Sequence, residues 1–159
     1  MKVQAMKKLS ILFLLGLAFL VSCRPESYFD AYKNIPEAKW NVNDVITFEP
    51  EITKEIKAVD LTLNVRHSGL YGYSNLFLFV KTTLPNGVSR QDTVECILAD
   101  KRGKWYGSGI GDIFDFEQPI GRIVAPEKGK YTFAIQQGMR TAVLEEVMDI
   151  GLSITEAVE

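Results

Sequence analysis

Strict alternation of apolar and polar residues is the feature of this sequence that most limits its fold. Successive side chains of an extended strand point to opposite faces, so alternation predicts a strand with one buried face. The stretch VDLTLNVRHS shows it through four apolar residues that share a face: Val59, Leu61, Leu63 and Val65. KYTFAIQQ and EVMDIGLSIT repeat the pattern with Tyr131, Phe133 and Ile135, and with Ile150, Leu152 and Ile154. We therefore predict that most of the chain forms β-strands.

Turn signals separate the alternating stretches. SNLFLFVKTT is apolar on both faces, which predicts a central strand that is covered on both sides. Pro-Asn-Gly at residues 85–87 predicts a turn that joins this strand to VSRQDTVECILAD as a hairpin. A second turn is expected at residues 127–130, and only GMRTAVLEEV at residues 138–147 is expected to hold a helical turn.

About eight short strands separated by turns predict an all-β fold with little helix. We expect an antiparallel β-sandwich of the jelly-roll or C2-like kind. A closed barrel is the alternative. A single domain is expected to extend over residues 41–159.

The first 22 residues have the pattern of an export signal. Lys2, Lys7 and Lys8 give a basic start, and residues 9–21 form an apolar run of 13 residues. Because a membrane-spanning helix needs about 20 residues, this run is typical of a signal peptide instead.

The signal ends in Leu-Val-Ser-Cys at residues 20–23, which resembles a bacterial lipobox. The thiol of Cys23 would form a thioether with a diacylglyceryl group, and two or more acyl chains, palmitate among them, anchor a protein stably. We therefore predict a signal peptide at residues 1–22 and a lipidated tether at residues 23–40. Apart from this covalent lipid, no cofactor is expected.

The charge balance argues against nucleic acid as a partner. From Cys23 onward the chain carries 15 basic and 20 acidic residues, and the basic residues form no cluster. Cys96 falls on the apolar face of its stretch, so we predict a buried and unreactive thiol.

Few residues are suited to catalysis or metal binding. His67 is the only histidine, and its neighbour Ser68 would face the other side of a strand. We expect His67 to end its strand at a turn, as a surface or hydrogen-bonding residue, and an enzyme that uses His67 and Asp112 is an alternative. The glycine-rich residues 107–112 neither follow a βαβ pattern nor open a helix, so we expect a flexible loop. No metal is expected, because three nearby carboxylates match no EF-hand spacing: Asp112, Asp115 and Glu117.

Aromatic residues in loops and two arginines are the remaining candidates for binding. Four aromatic residues lie in predicted loops: Tyr71, Tyr73, Trp105 and Tyr106. They would stack on sugar rings, bind protein, or cap the ends of the core, and these alternatives stay open. Arg66 and Arg140 adjoin core-like strands, and each is expected to pair with an aspartate such as Asp100 or Asp112.

Three stretches carry a resemblance to a known family. They are VRHSGLYGYSNLFLFV at residues 65–80, LADKRGKWYGSGIGDIFD at residues 98–115 and GKYTFAIQQGMRTAVLEEVMDIGLSI at residues 129–154. Together with the lipobox, and in this order, they resemble the gliding motility lipoprotein GldH family. Cys23 is the one matched residue with a defined chemistry. The other matched residues have no assigned role: Arg66, His67, Asn75, Trp105, Met139 and Arg140.

The resemblance implies a small, non-enzymatic envelope lipoprotein of Bacteroidota that supports gliding motility and is bound up with type IX secretion. We expect an assembly or stabilising component with other gliding and secretion proteins as partners, anchored to the outer membrane and facing the periplasm. An envelope module that binds carbohydrate is the alternative. The candidate interaction residues are Arg66, His67, Tyr71, Tyr73, Asn75, Trp105, Tyr106 and Arg140.

Overall fold

The computed structural model describes residues 27–158, and nearly all regular structure in this range is β-strand. A single 3₁₀ turn, Pro36–Ala38, interrupts the strands. The strands are β1 (Ser27–Asn34), β2 (Lys39–Asn41), β3 (Ile46–Phe48), β4 (Glu51–Ile52), β5 (Ala58–Ser68), β6 (Asn75–Thr83), β7 (Ser89–Ile97), β8 (Ser108–Ile110), β9 (Ile113–Val124), β10 (Gly129–Lys130), β11 (Thr132–Gln137), β12 (Val143–Glu145) and β13 (Val147–Glu156).

Two antiparallel sheets contain most of these strands. One sheet has five strands in the order β1-β13-β5-β9-β8, and the other has four in the order β3-β11-β6-β7. Short ladders pair β4 with β10 and β2 with β12. Buried apolar residues from both sheets form one core cluster, which is the arrangement of a sandwich. The predicted all-β antiparallel sandwich is confirmed.

The alternating residues supply the core as predicted. Strands β5, β11 and β13 bury the apolar residues that share one face: Val59, Leu61, Leu63, Val65, Phe133, Ile135, Ile150, Leu152 and Ile154. Phe29 of β1 meets Phe48 of β3 edge to face, with ring centroids 6.2 Å apart, and so links the two sheets. Cys96 is buried as predicted, and burial raises the pKa of its thiol to about 12.

Strand β6 lies at the centre of its sheet but is covered on one face only. It joins β7 through the predicted hairpin, in which Gly87 has φ +86° and Leu84 N–H donates to Val88 O at 2.8 Å. On its other face Phe77 is half-buried and Phe79 is 36 % exposed. The prediction of cover on both sides is wrong, because within residues 27–158 no third layer lies over this sheet.

The sheet begins earlier in the chain than predicted. Residues 27–34 belong to the stretch predicted as a tether, residues 23–40, yet they form strand β1 and pair with β13. A charged and mixed composition suits this edge strand, because one edge and much of one face meet water. The predicted signal peptide at residues 1–22 and the lipidation residue Cys23 lie outside the described residues.

Two further stretches differ from the expectation. Residues 107–112, predicted as a flexible loop, contain β8 and the turn of the β8–β9 hairpin. Residues 138–147, predicted to hold a helical turn, contain strand β12 instead. Among the described residues, no helix has the length and hydrophobicity needed to cross a bilayer.

The strands define two ends of the sandwich. At one end, called here the Ser27 end, neighbouring strands align four residues: Ser27, Thr155, Asp60 and Arg122. The turn at residues 84–88 joins this end, because Asn86 Nδ2 donates to Glu127 Oε1 at 3.1 Å just beyond β9. The opposite end, called the His67 end, holds His67, Phe114 and the loops that follow β5, β7 and β11.

Candidate functional site

Four of the eight candidate residues lie together at the His67 end. The His67 ring contacts Trp105 and Tyr71, with ring centroids 4.7 Å and 5.6 Å apart. Tyr71 in turn meets Tyr73 at 5.7 Å. Phe114 of β9 also stacks against the His67 ring at 5.7 Å and lies 6.1 Å from Trp105. The loops after β5 and β7 therefore contribute to one continuous aromatic cluster that runs from the buried His67 to the exposed Tyr73.

His67 lies in the core and not at the surface, although it does lie near the end of its strand and forms a hydrogen bond. It continues the inward face of β5, and its side chain is fully buried. Nδ1 lies 2.9 Å from Ser68 O, so this nitrogen carries the proton and donates it, while the buried Nε2 has no hydrogen-bond partner among residues 27–158. Burial lowers the pKa of His67, because the aromatic surroundings disfavour the charged ring. Asp112 lies in the exposed turn between β8 and β9.

Arg66 points to the outer face of the five-stranded sheet, away from this cluster. Its Nε lies 2.7 Å from Asp115 Oδ1, and its Nη1 lies 3.4 Å from Asp149 Oδ2. The expected ion pair of Arg66 with an aspartate is confirmed, but its partners are Asp115 and Asp149 and not Asp100 or Asp112. The hydrogen bond to Asp115 raises the pKa of Arg66, and the pair is exposed enough to contribute little to stability.

Asp100 has a local role in the loop after β7. Its Oδ1 accepts hydrogen bonds from the backbone N–H of Arg102 and of Lys104, at 2.8 Å and 2.9 Å. These bonds lower the pKa of Asp100 because they favour its charged form. Asp100 therefore shapes the turn that carries Trp105 and Tyr106.

Beside the aromatic cluster, an exposed pocket opens on the outer surface of the four-stranded sheet. It encloses about 460 Å³ and combines apolar walls with one guanidinium group. This aromatic pocket is lined by Tyr73, Phe77, Phe79, Thr93, Gly138, Met139 and Arg140. Four separate stretches thus meet here: the loop before β6, strand β6 itself, strand β7 and the loop after β11.

The buried side chain of Gln137 fixes the loop that carries Met139 and Arg140. Gln137 Nε2 donates to Thr141 O at 2.9 Å, and its Oε1 accepts from the Met139 N–H at 2.8 Å. Gly138 N–H donates to Phe77 O at 2.7 Å, which holds the loop against β6. Both polar atoms of the buried Gln137 side chain are thus hydrogen-bonded, and these bonds hold the backbone of the loop in place.

Tyr71 and Asn75 hold the other wall of the aromatic pocket. The Tyr71 hydroxyl donates to Asn75 O at 3.0 Å, and Asn75 Nδ2 donates to Glu95 Oε1 at 2.7 Å. Tyr73 lies between these two residues, is 47 % exposed, and faces the pocket. Burial raises the pKa of Tyr71, so its hydroxyl stays neutral as a donor.

Several pocket residues were missed by the sequence analysis. The sequence predicts that Phe77 and Phe79 lie on a covered strand, and it does not single out Gln137, which supports the pocket without lining it. The available signal was β6 itself, where aromatic residues alternate with the core residues Leu76 and Leu78. Tyr106 is 47 % exposed, lies in the loop after β7, and does not line the pocket. Within residues 27–158, no group of three or more potential ligands is placed to hold a metal ion.

Comparisons with known proteins agree along the whole described range. The sequence model of a family described as GldH lipoprotein matches residues 27–154. The Gliding motility lipoprotein GldH homolog of Christiangramia forsetii is 31% identical over 154 residues, which cover 92% of this chain and 94% of the relative. The Gliding motility lipoprotein GldH of Flavobacterium johnsoniae is 32% identical over 156 residues, which cover 94% of this chain and 97% of the relative.

Solved structures are only distantly similar. A chain in the structure of the infectious bursal disease virus Gx strain has a TM-score of 0.35 and 14% sequence identity. This chain aligns over 84% of its own length and spans 33% of the viral chain. Such similarity has no bearing on function.

Proposed function

The chain belongs to the GldH lipoprotein family and is thus a gliding-motility lipoprotein of the cell envelope, and we propose that it acts without catalysis, as a component that assembles or stabilises the gliding and type IX secretion apparatus. The proposed anchor is a lipid on Cys23, and the proposed location is the periplasmic face of the outer membrane. In this role the folded domain presents a binding surface to other envelope proteins.

The aromatic pocket is the observation that supports a binding role most directly. Exposed aromatic side chains together with arginine are the residue types that dominate the energy of protein–protein interfaces. Here Tyr73 and Phe79 are both partly exposed, and Arg140 stands at the rim. The loop that carries Met139 and Arg140 is fixed by Gln137, so little conformational entropy is lost on binding.

The surroundings of His67 support a role without catalysis. A general base needs to reach the proton that it abstracts. The His67 ring is enclosed by Tyr71, Trp105 and Phe114, and its Nδ1 is engaged by the carbonyl of Ser68. These contacts are those of a packed core residue.

Affinity purification tests this proposal. A C-terminally tagged copy is purified from detergent-solubilised envelope, and bound proteins are identified by mass spectrometry. We expect recovery of other gliding and type IX secretion proteins. The double variant Tyr73→Ala with Arg140→Ala should lose at least tenfold of that recovery, because it removes both the apolar and the charged part of the aromatic pocket.

The matched control is the double variant Tyr106→Ala with Arg102→Ala. It removes an equally exposed tyrosine and an exposed arginine outside the aromatic pocket, so recovery should stay unchanged. Recovery of the bait alone from wild-type cells would contradict the assembly role. Equal loss in both double variants would contradict the assignment of the pocket.

The anchor is tested separately. Cys23→Ala should leave the protein unprocessed or soluble and should abolish its function in gliding. Full motility supported by a soluble form would count against the anchored role.

A further inference from the structure

The Ser27 end of the sandwich is placed next to the proposed anchor by chain length alone. Four residue steps separate Cys23 from Ser27, and fully extended chain spans at most about 14 Å over four steps. Strand β5 has 11 residues and is therefore roughly 33 Å long. With the lipid in a membrane, the His67 end cannot face that same membrane, because Ser27 would then be too far from it.

The surface of the Ser27 end carries exposed apolar side chains. Val88 in the β6–β7 turn is 60 % exposed, Val124 at the end of β9 is 73 % exposed, and Val158 after β13 is 74 % exposed. Val88 lies in a turn and Val124 ends a strand at this end of the sandwich, and Val158 lies two residues beyond β13. A folded domain gains free energy when such side chains leave water for the interfacial region of a bilayer.

Charges at the Ser27 end are largely matched in pairs. Four basic side chains there each lie within 3.2 Å of a carboxylate: Lys128 with Glu55, Lys130 with Glu49, Arg122 with Asp60 and Arg90 with Asp92. These four basic side chains therefore bring little unpaired positive charge to attract anionic lipid. The outer face of the five-stranded sheet, by contrast, presents carboxylates around Arg66: Asp30, Asp115, Glu117 and Asp149. An acidic face of this kind is disfavoured against an anionic bilayer.

We propose that the Ser27 end is a membrane-contact surface, with Val88, Val124 and Val158 in the lipid interface and the aromatic pocket on the side of the sandwich, toward its opposite end. The occupant of this surface is the bilayer to which Cys23 anchors the chain, so the inference rests on the lipid anchor of the proposed function. The contact is apolar and does not depend on lipid charge. This contact holds the aromatic pocket at a distance from the membrane that is set by the length of the strands.

Quenching by lipid tests the orientation. The lipidated full chain is reconstituted into phosphatidylcholine vesicles that contain nitroxide-labelled lipid, and an environment-sensitive fluorophore is attached to Val124→Cys. The matched variant is Ile110→Cys, because Ile110 is 91 % exposed and lies at the His67 end. The native Cys96 is buried and Cys23 is acylated, so the introduced thiol is the one labelled.

Quenching should be at least fivefold stronger at position 124 than at position 110. Equal quenching, in protein that floats with the vesicles, would overturn the orientation and leave the anchor intact. Protein that fails to float would overturn the anchor and the orientation together. Quenching at position 124 should stay the same when about a third of the lipid is anionic, and a severalfold increase would overturn the uncharged contact.

Discussion

At the scale of single residues, His67 shows how the core controls a titratable group. Its ring lies among three aromatic rings, and burial lowers its pKa below the ordinary value of 6.5, while the Ser68 carbonyl and Asp115 act in the opposite direction. At a pH between the pKa of His67 in the folded chain and its pKa in the unfolded chain, the unfolded chain binds more protons than the folded chain. Stability therefore rises with pH in this window, and it is lost as pH falls below about 6.5.

Replacement of the only histidine should remove this pH dependence. We expect His67→Phe to fold, because phenylalanine fills the aromatic site and leaves no buried nitrogen without a partner. The free energy of unfolding in urea, measured from pH 8 to pH 5, should fall less steeply for His67→Phe than for the wild type. Parallel curves for the two proteins would show that His67 does not titrate differently on unfolding.

Cys96 should be inert in the folded protein. Its thiol is buried, and burial raises its pKa to about 12, so almost no thiolate exists at pH 8. In a soluble chain that begins at residue 24, Cys96 is the single thiol. Labelling with a disulfide reagent should be at least a hundredfold slower in buffer than in 6 M guanidinium chloride, whereas equal rates would contradict the burial.

At the scale of elements, the β8–β9 hairpin depends on its glycines. A Cβ at Gly109 would overlap the carbonyl oxygen of Ile113 on the facing strand, and a Cβ at Gly107 would overlap that of Asp115. Backbone atoms cannot yield as the end of a flexible side chain does. The glycine-rich sequence that suggests a flexible loop is therefore what allows the two strands to approach so closely.

Gly109→Ala should open this hairpin. We expect a loss of about 1–3 kcal/mol in stability, since overpacking forces the backbone apart, and faster hydrogen exchange at residues 113–116. Gly72→Ala is the matched control, because a Cβ there meets no atom within 4 Å; its effect should stay within about 0.5 kcal/mol. Unchanged exchange in Gly109→Ala would mean that the close approach is not required.

The strands with one buried face were predictable, and the exceptions have physical reasons. Alternation indicates that one face of a strand is buried, and on this basis β5, β11 and β13 were predictable. It does not report which strand lies alongside, because the partners are distant in the chain: β1 pairs with β13 across more than a hundred residues. His67 lies on the same face of the strand as Val59 to Val65, so alternation by itself indicates a buried residue. The prediction of a surface position rests on the polarity of histidine and is therefore wrong.

At the scale of the whole molecule, the aromatic pocket could not be predicted from local sequence. Tyr73 and Arg140 lie 67 positions apart, and only the pairing of β11 with β6 brings their loops together. The sequence marked both residues as candidates but contained no signal that they share a surface. Phe77 and Phe79 are exposed because no third layer lies over residues 75–83 of the described fold, and local sequence does not report this either.

Strand β1 should be part of the stable domain and not a dispensable tether. It covers the edge of β13 and brings Phe29 onto Phe48. A soluble chain that begins at residue 35 should lose at least about 3 kcal/mol in stability, because the partly buried Tyr28 and Phe29 are removed together with all the ladder hydrogen bonds to β13. Urea unfolding would be compared for chains that begin at residues 24, 27 and 35. The first two should unfold at the same midpoint, and equal midpoints for all three would make β1 dispensable.

The register of β1 with β13 also has a mechanical consequence. β1 runs from the Ser27 end, next to the proposed lipid, toward the end that holds the aromatic pocket, and seven residue pairs join it to β13. A pull between membrane and partner would therefore act along the strand, in shear. All the ladder hydrogen bonds would share the tension at once, whereas a pull across the strand would peel them apart one after another. A domain tethered in this direction would resist traction between the membrane and a bound partner.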